Sequence, residues 1–190
     1  MIKIYITIFS LIFLNLSADI IDKVEVNGNK RISDETINVY GEIEIGKDYS
    51  AFEVDRILKN LYKTEFFEDI KVILSNGVLK ISVKEYATIN FIDLQGEESN
   101  ERKKSVLKVL KLKNKESFIE NKLSEDIDMI KKIYASIGFN FSSVEAKIEK
   151  FDENRINLIY FIEKGKKTNI AKIYFIGDKK IKEKRLREII

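Results

Sequence analysis

The strongest constraint on this chain is a pattern written three times: a short alternating apolar run that ends in a glycine. The copies are VEVNGNKRIS from Val24, IDLQGEES from Ile92 and IYFIGDKKI from Ile173. Align them on Gly28, Gly96 and Gly177. The residue two places earlier is Val26, Leu94 or Phe175, and four places earlier it is Val24, Ile92 or Ile173. Seven places earlier stands Ile21, Ile89 or Ile170. Alternation at the last two positions is what a strand with one buried face requires. The glycine suits a turn that needs positive φ or a close backbone approach. The glycines lie 68 and 81 residues apart, which are domain-sized intervals rather than solenoid repeats.

The filling between the glycines repeats as well. After Gly28, Ser33 is placed to cap a short helix, DETINVY, with Asp34 and Glu35 in its first turn. Ser50 and Glu53 then have capping-box spacing, and Val54, Ile57, Leu58, Leu61 and Tyr62 form one apolar helix face. Ile70, Val72 and Leu74 alternate, Asn76-Gly77 is a two-residue turn signal, and Leu79, Ile81 and Val83 alternate on the return. The second unit follows the same order. NERKKSVLKVLKL predicts a helix to Leu112, with Val106, Leu107 and Leu110 apolar. A longer helix carries Leu123, Ile127, Ile130, Tyr134 and Ile137 on one face, and Gly138 stops it. Val144, Ala146 and Ile148 then face Ile156, Leu158, Tyr160 and Ile162 in a second hairpin.

The chain therefore predicts an α+β fold of tandem β-α-α-β-β units. Each has a small three-stranded mixed sheet with two helices on one face. A third copy begins near Thr168 and runs to Ile190, with no material for a second helix or a hairpin. A partial unit cannot bury its own sheet face, so the chain reads as a fragment of a longer protein. The first residues, MIKIYITIFSLIFLNLSADI, have a positive Lys3, an apolar run and small residues near Ala18. That is the layout of a secretory signal peptide cut after Ala18. The rival reading, an uncleaved anchor, needs about 20 apolar residues. The expected division is a signal peptide at 1–18, a first unit at 19–86, a second at 87–165 and the start of a third at 166–190.

Composition removes several chemistries. Cysteine and histidine are both absent. That excludes disulfides, thiol catalysis, Cys/His zinc sites and histidine general bases. A net charge of +3 from 34 basic and 31 acidic residues gives no argument for nucleic acid. No phosphate loop or carboxylate metal loop is present, so neither an enzyme nor a cofactor is expected. The acidic clusters Glu97-Glu98 and Glu125-Asp126-Asp128 read as solvated surface or helix N-terminal charge. The basic runs ERKK, KLKNK, KGKK and DKKIKEKRLR read as solvated faces. Phe66, Phe67, Phe139 and Phe141 read as core packing at helix–strand junctions.

These stretches resemble the POTRA domains of the Omp85 family. VEVNGNKRISDETINVYGEIEIGKDYS, ILKNLYKTEFFEDIKV and LKISVKEYATI carry the likeness in the first unit. IKKIYASIGFNFSSVEAKI and INLIYFIEKGKKTNIAKIYFIGD carry it in the second. The resemblance implies a periplasmic module on the outer membrane. Its expected partners are unfolded outer-membrane proteins and accessory lipoproteins of an assembly complex. Membrane contact would run through a C-terminal barrel that is not in this chain. The alternative is a POTRA scaffold of a two-partner-secretion transporter or a cell-division protein.

The same resemblance implies where clients bind. The second strand of each unit is the expected sheet edge and the third is central. An edge presents unpaired N–H and C=O groups to an extended peptide, and backbone pairing tolerates many sequences. The expected edges are Ile70, Lys71, Val72, Ile73 and Leu74, and Val144, Glu145, Ala146, Lys147 and Ile148. The outward charges Lys71, Glu145 and Lys147 suit either tuning of binding or defence against aggregation. Gly28, Gly77, Gly96, Gly138 and Gly177 are the expected structural turns.

Overall fold

The computed structural model describes residues 19–169, 171–174, 176, 182 and 184–185. Residues 1–18, expected as a signal peptide, and Ile170, Phe175 and Gly177 of the third copy, lie outside the described residues. The chain divides into two compact units, residues 1–88 and 89–190.

In the first unit, β1 (Asp19–Ile20) pairs with β3 (Asp48–Tyr49). The main sheet contains β2 (Lys23–Asn27), β4 (Phe67–Ser75) and β5 (Val78–Glu85), in the order β2-β5-β4. β2 runs parallel to β5, with Val24 opposite Leu79 and Val26 opposite Ile81. β4 returns antiparallel to β5. The turn between them has Asn76 at φ 51° and Gly77 at φ 74°, both left-handed, which is the type I′ geometry that matches strand twist.

Two helices supply the other layer. In α1 (Asp34–Gly41) the Ser33 hydroxyl accepts from the Thr36 amide. In α2 (Ala51–Lys63) Ser50 and Glu53 form a reciprocal capping box. Ile37 from α1 and Ile57 and Leu61 from α2 are fully buried with Ile21, Leu79 and Ile81 in one core cluster. Val24 and Val26 pack against that cluster, so the alternation of β2 is the alternation of a half-buried strand.

The second unit contains β6 (Thr88–Gln95), α3 (Asn100–Val109), α4 (Glu120–Ser136), β7 (Ser143–Lys150) and β8 (Arg155–Glu163). Its sheet order is β6-β8-β7. Near one end Asn90 Nδ2 donates to Asn157 Oδ1 at 2.9 Å, and towards the other end Gly96 abuts the Ile162 carbonyl. Both strands advance together between these points, so β6 and β8 are parallel. β7 is antiparallel to β8, with Val144 opposite Ile162, Ala146 opposite Tyr160 and Ile148 opposite Leu158. The core is Ile92, Leu94, Val106, Ile130, Tyr134, Leu158 and Tyr160. No helix among the described residues is long and apolar enough to cross a membrane.

The repeated glycine has one physical job in both units. Gly28 has φ 89° and Gly96 has φ 85°. A Cβ on Gly28 would collide with the Val83 carbonyl oxygen, and one on Gly96 with the Ile162 carbonyl oxygen. The first strand must leave its sheet against the backbone of the central strand, and only glycine is thin enough.

One helix stops earlier than its sequence suggests. α3 ends at Val109, and Leu110 is extended at φ −61°, ψ 151°. Lys113 Nζ donates to the Leu107 and Lys108 carbonyls at 2.9 and 2.8 Å, which satisfies the orphan acceptors of the last turn. Leu110 and Leu112 are buried all the same, from the following segment rather than from the helix. α4 ends in a Schellman motif. The Phe139 amide donates to the Tyr134 carbonyl at 2.9 Å and the Gly138 amide to the Ala135 carbonyl at 3.0 Å.

Candidate functional site

The open edges follow from the register. Ser75 and Val78 flank the two-residue turn and form the closing hydrogen-bonded pair of that hairpin. Pairing alternates along an antiparallel ladder, so Lys71 and Ile73 face β5 while Ile70, Val72 and Leu74 turn their peptide groups outward. The Ile70 amide donates to the Tyr62 hydroxyl at 3.2 Å, which closes that position. Val72 and Leu74 are left as outward peptide groups. In the second hairpin the Phe151 amide donates to the Arg155 carbonyl at 2.9 Å and sets the phase. Glu145, Lys147 and Glu149 therefore face β8, while Val144, Ala146 and Ile148 turn their peptide groups outward.

Side chains and peptide groups point in different directions here. Val144 is buried under the helices although its amide lies on the edge, and Ile148 is 47% exposed. Lys71, Glu145 and Lys147 are exposed on the outer sheet face, beside the edge rather than in its plane. Lys147 is paired along its own strand with Glu149 at 2.8 Å. Gly77 lies in the hairpin turn and Gly138 in the helix stop, with φ 74° and 96°.

Two acids from the clusters expected at the surface are buried instead. Glu97 is 3% exposed and Asp126 is 1% exposed. Glu97 Oε1 accepts from the Ser99 amide at 2.9 Å, Arg102 at 3.0 Å and Lys164 at 3.2 Å. Its Oε2 accepts from the Tyr134 hydroxyl at 2.7 Å. Burial opposes the charge on Glu97, yet the Tyr134 hydroxyl, the Ser99 amide, Arg102 and Lys164 together hold its pKa at about 2. Asp126 accepts from the Lys111 amide at 2.6 Å, the Leu112 amide at 3.0 Å and the Tyr160 hydroxyl at 3.3 Å. Burial, and then the charge of Asp126, pushes the Tyr160 hydroxyl well above the usual tyrosine range. Arg102 and Lys164 thus leave the basic runs to serve a buried carboxylate.

The first unit holds the same corner with opposite polarity. Glu85, at the end of β5, accepts from three consecutive amides, Lys30, Arg31 and Ile32, at 2.8, 2.9 and 2.9 Å. Burial works to raise its pKa, but the three amides and Arg31 bring it below the usual carboxylate range. Gly28 abuts Val83 and Gly96 abuts Ile162, so Glu85 and Lys164 occupy equivalent positions. One unit carries the acid on the strand, and the other carries it on the glycine loop. In both, an ion pair ties the loop to the end of the central strand.

A sequence signal for these acids existed. Asp126 lies three residues after Leu123 and four before Ile130, in phase with the apolar face of α4. Glu97 directly follows the structural glycine. Among the four phenylalanines expected in the core, Phe67 is 2% exposed but Phe141 is 81% exposed. Phe141 sits in the turn before β7. Phe66 and Phe139 are half-buried and make edge-on ring contacts with Phe67 and Tyr134.

Parallel first and third strands with an antiparallel second strand at the edge are the arrangement expected of tandem POTRA domains. Residues 87–165 match the POTRA family model, described as surface antigen variable number repeat. Curated relatives are the outer membrane protein assembly factors BamA of Neorickettsia risticii and of Neisseria meningitidis serogroup B. The first is 24% identical over 91% of this chain and 23% of its own length. The second is 27% identical over 87% of this chain and 21% of its own length. The chain thus spans under a quarter of the length of these two relatives. Among solved structures, the N-terminal domain of Omp85 from Thermosynechococcus elongatus aligns with TM-score 0.49 at 13% identity, over 76% of this chain and 63% of that one.

Proposed function

We propose that this chain is a periplasmic scaffold of outer-membrane β-barrel assembly, which receives unfolded outer-membrane proteins by strand addition and docks accessory lipoproteins. The observation that carries this reading is the pair of open edges. Val72 and Leu74 in β4, and Val144, Ala146 and Ile148 in β7, turn peptide groups away from their own sheets. An extended client segment pairs with such a row through its main chain, whatever its side chains. A module that handles many β-rich clients needs that tolerance. The relatives by sequence are assembly factors of the outer membrane, which supports the same reading.

Proline tests it directly. Ala146 directs its N–H outward, so Ala146→Pro removes a donor from the free edge and leaves the β8 ladder intact. Proline is tolerated on an edge strand in that orientation. Glu145→Pro removes a ladder bond and disrupts the sheet. The expected result is a folded Ala146→Pro protein with several-fold weaker photocrosslinking of a urea-unfolded outer-membrane barrel polypeptide to β7. Unchanged crosslinking with folding intact would sink the edge mechanism.

A further inference from the structure

Each sheet has a second edge, formed by its first strand, and the two units treat that edge differently. In both, the loop between the helices pairs with the entry to the strand. Ile21 donates to the Lys47 carbonyl at 3.2 Å and accepts from the Gly46 amide at 2.7 Å. Ile89 donates to the Glu116 carbonyl at 2.9 Å and accepts from the Lys115 amide at 2.6 Å. Beyond that point the units diverge.

The Lys23 amide donates to the Gly77 carbonyl at 3.2 Å, so the odd residues of β2 face β5, and Val24 and Val26 face the free edge. Ile92 and Leu94 are their equivalents in β6. Both of those edge amides are taken by side chains. The Ile92 amide donates to Asn114 Oδ1 at 2.8 Å, and the Leu94 amide donates to Asp93 Oδ1 at 2.8 Å. The corresponding positions in the first unit are Ile45 and Glu25. Ile45 has no acceptor to offer, and Glu25 is engaged with Lys23 at 2.9 Å. No side-chain acceptor among the described residues reaches Val24 or Val26. The seal is therefore a property of these residues and not a requirement of the fold.

We infer that Asn114 and Asp93 close the β6 edge, so that an extended client adds to the second unit only at β7. This rests on the edge-binding reading given above. A strand arriving at β6 would meet two donors already satisfied, and would have to displace Asn114 and Asp93 to pair with them. At β7 no such competitor stands before Val144, Ala146 or Ile148 among the described residues. The two acceptors thus give one of two chemically similar edges to the client.

The test uses the full chain, with a photocrosslinking residue placed at Phe91 on β6 or at Lys147 on β7, and the urea-unfolded polypeptide of a small outer-membrane barrel as probe. The wild type is expected to crosslink from position 147 and not from position 91. In Asp93→Ala/Asn114→Ala, crosslinking from position 91 is expected to rise several-fold. Asn114→Asp keeps an acceptor oxygen and should keep the Ile92 seal. Hydrogen exchange reads the seal without any client. The Ile92 amide should exchange roughly fivefold faster in Asn114→Ala, as expected for losing one bond of ordinary net strength, and near the wild-type rate in Asn114→Asp. Equal wild-type crosslinking from both strands overturns the inference. So does a double variant that frees the Ile92 amide without gaining crosslinks from position 91. Silence from both strands in every variant instead overturns edge binding, and the directing role falls with it, while the exchange rates still report whether Asn114 is the seal.

Discussion

Replacing Asp126 by alanine should destabilise the second unit far more than replacing its neighbour Glu125. Asp126 is 1% exposed and serves three donors. Lys111 is exposed, so its amide regains water when the carboxylate is gone. Leu112 and Tyr160 are 1% and 0% exposed, so the Leu112 amide and the Tyr160 hydroxyl are left buried and unpaired. Each such group costs about 1–3 kcal/mol. Removing the carboxylate also removes the cost of burying it, which offsets part of that loss. The expected net change is about 2–4 kcal/mol, against a total stability of about 5–15 kcal/mol for a domain. At ~4–8 °C per kcal/mol for a unit of this size, the unfolding midpoint should fall by roughly 8–32 °C. Asp126→Asn keeps one acceptor and should lie between wild type and alanine. Glu125 pairs with exposed Lys111, so Glu125→Ala should change stability by under about 1 kcal/mol. Thermal unfolding followed by circular dichroism measures all three. If Asp126→Ala and Glu125→Ala unfold within about 0.5 kcal/mol of each other, a distance smaller than a single hydrogen bond, the buried-hub reasoning is refuted.

Three further outcomes follow from the same geometry. The pKa of Glu97 is depressed to about 2, so its stabilising contribution is present above the unfolded carboxylate pKa and is lost as pH falls from about 4.5 towards 2. Urea titrations across that range should show a falling midpoint, and Glu97→Gln, which never carries the charge, should flatten the fall. Gly28→Ala should cost more than the usual ~1 kcal/mol of a strained left-handed residue, because its Cβ meets backbone rather than a movable side chain. An intact Gly28→Ala protein with an unchanged denaturation midpoint would argue against that close approach. Phe141→Ser should alter stability by no more than about 0.5 kcal/mol, since the ring is 81% exposed, and a larger loss in chemical denaturation would place Phe141 in the core.

The local pieces of this fold were legible because they are written in short periods. Period-2 alternation in Leu79, Ile81 and Val83 needs only neighbours to be read, as does the period-3.6 stripe through Ile57 and Leu61. Turn chemistry at Asn76-Gly77 and the Ser50–Glu53 box are local as well. That the Val144, Ala146 and Ile148 face meets the face of Ile156 to Ile162 followed from the apolar phase, because a slip of one residue would turn the whole face to solvent. The helix ending at Val109 instead of Leu112 was not legible. Its end is set by the Leu112 amide bonding to Asp126, which is 14 residues away.

Sequence alone determined the tandem α+β plan, the order of its elements and the glycine on which each unit turns. The signals for these are written within a few residues, as alternation, helical period and turn chemistry. Tertiary structure alone decided which charges are interior. Glu97 meets Tyr134 and Lys164 across separations of 37 and 67 residues, partners that its place after Gly96 does not specify. It also decided which edges are open, because an edge is defined by what fails to pair with it. Asn114 bonds the Ile92 amide from 22 residues away, while at the matching position of the first unit Ile45 offers no acceptor. Burial of a charge and closure of an edge are relations between distant parts of the chain, and only folding brings those parts together.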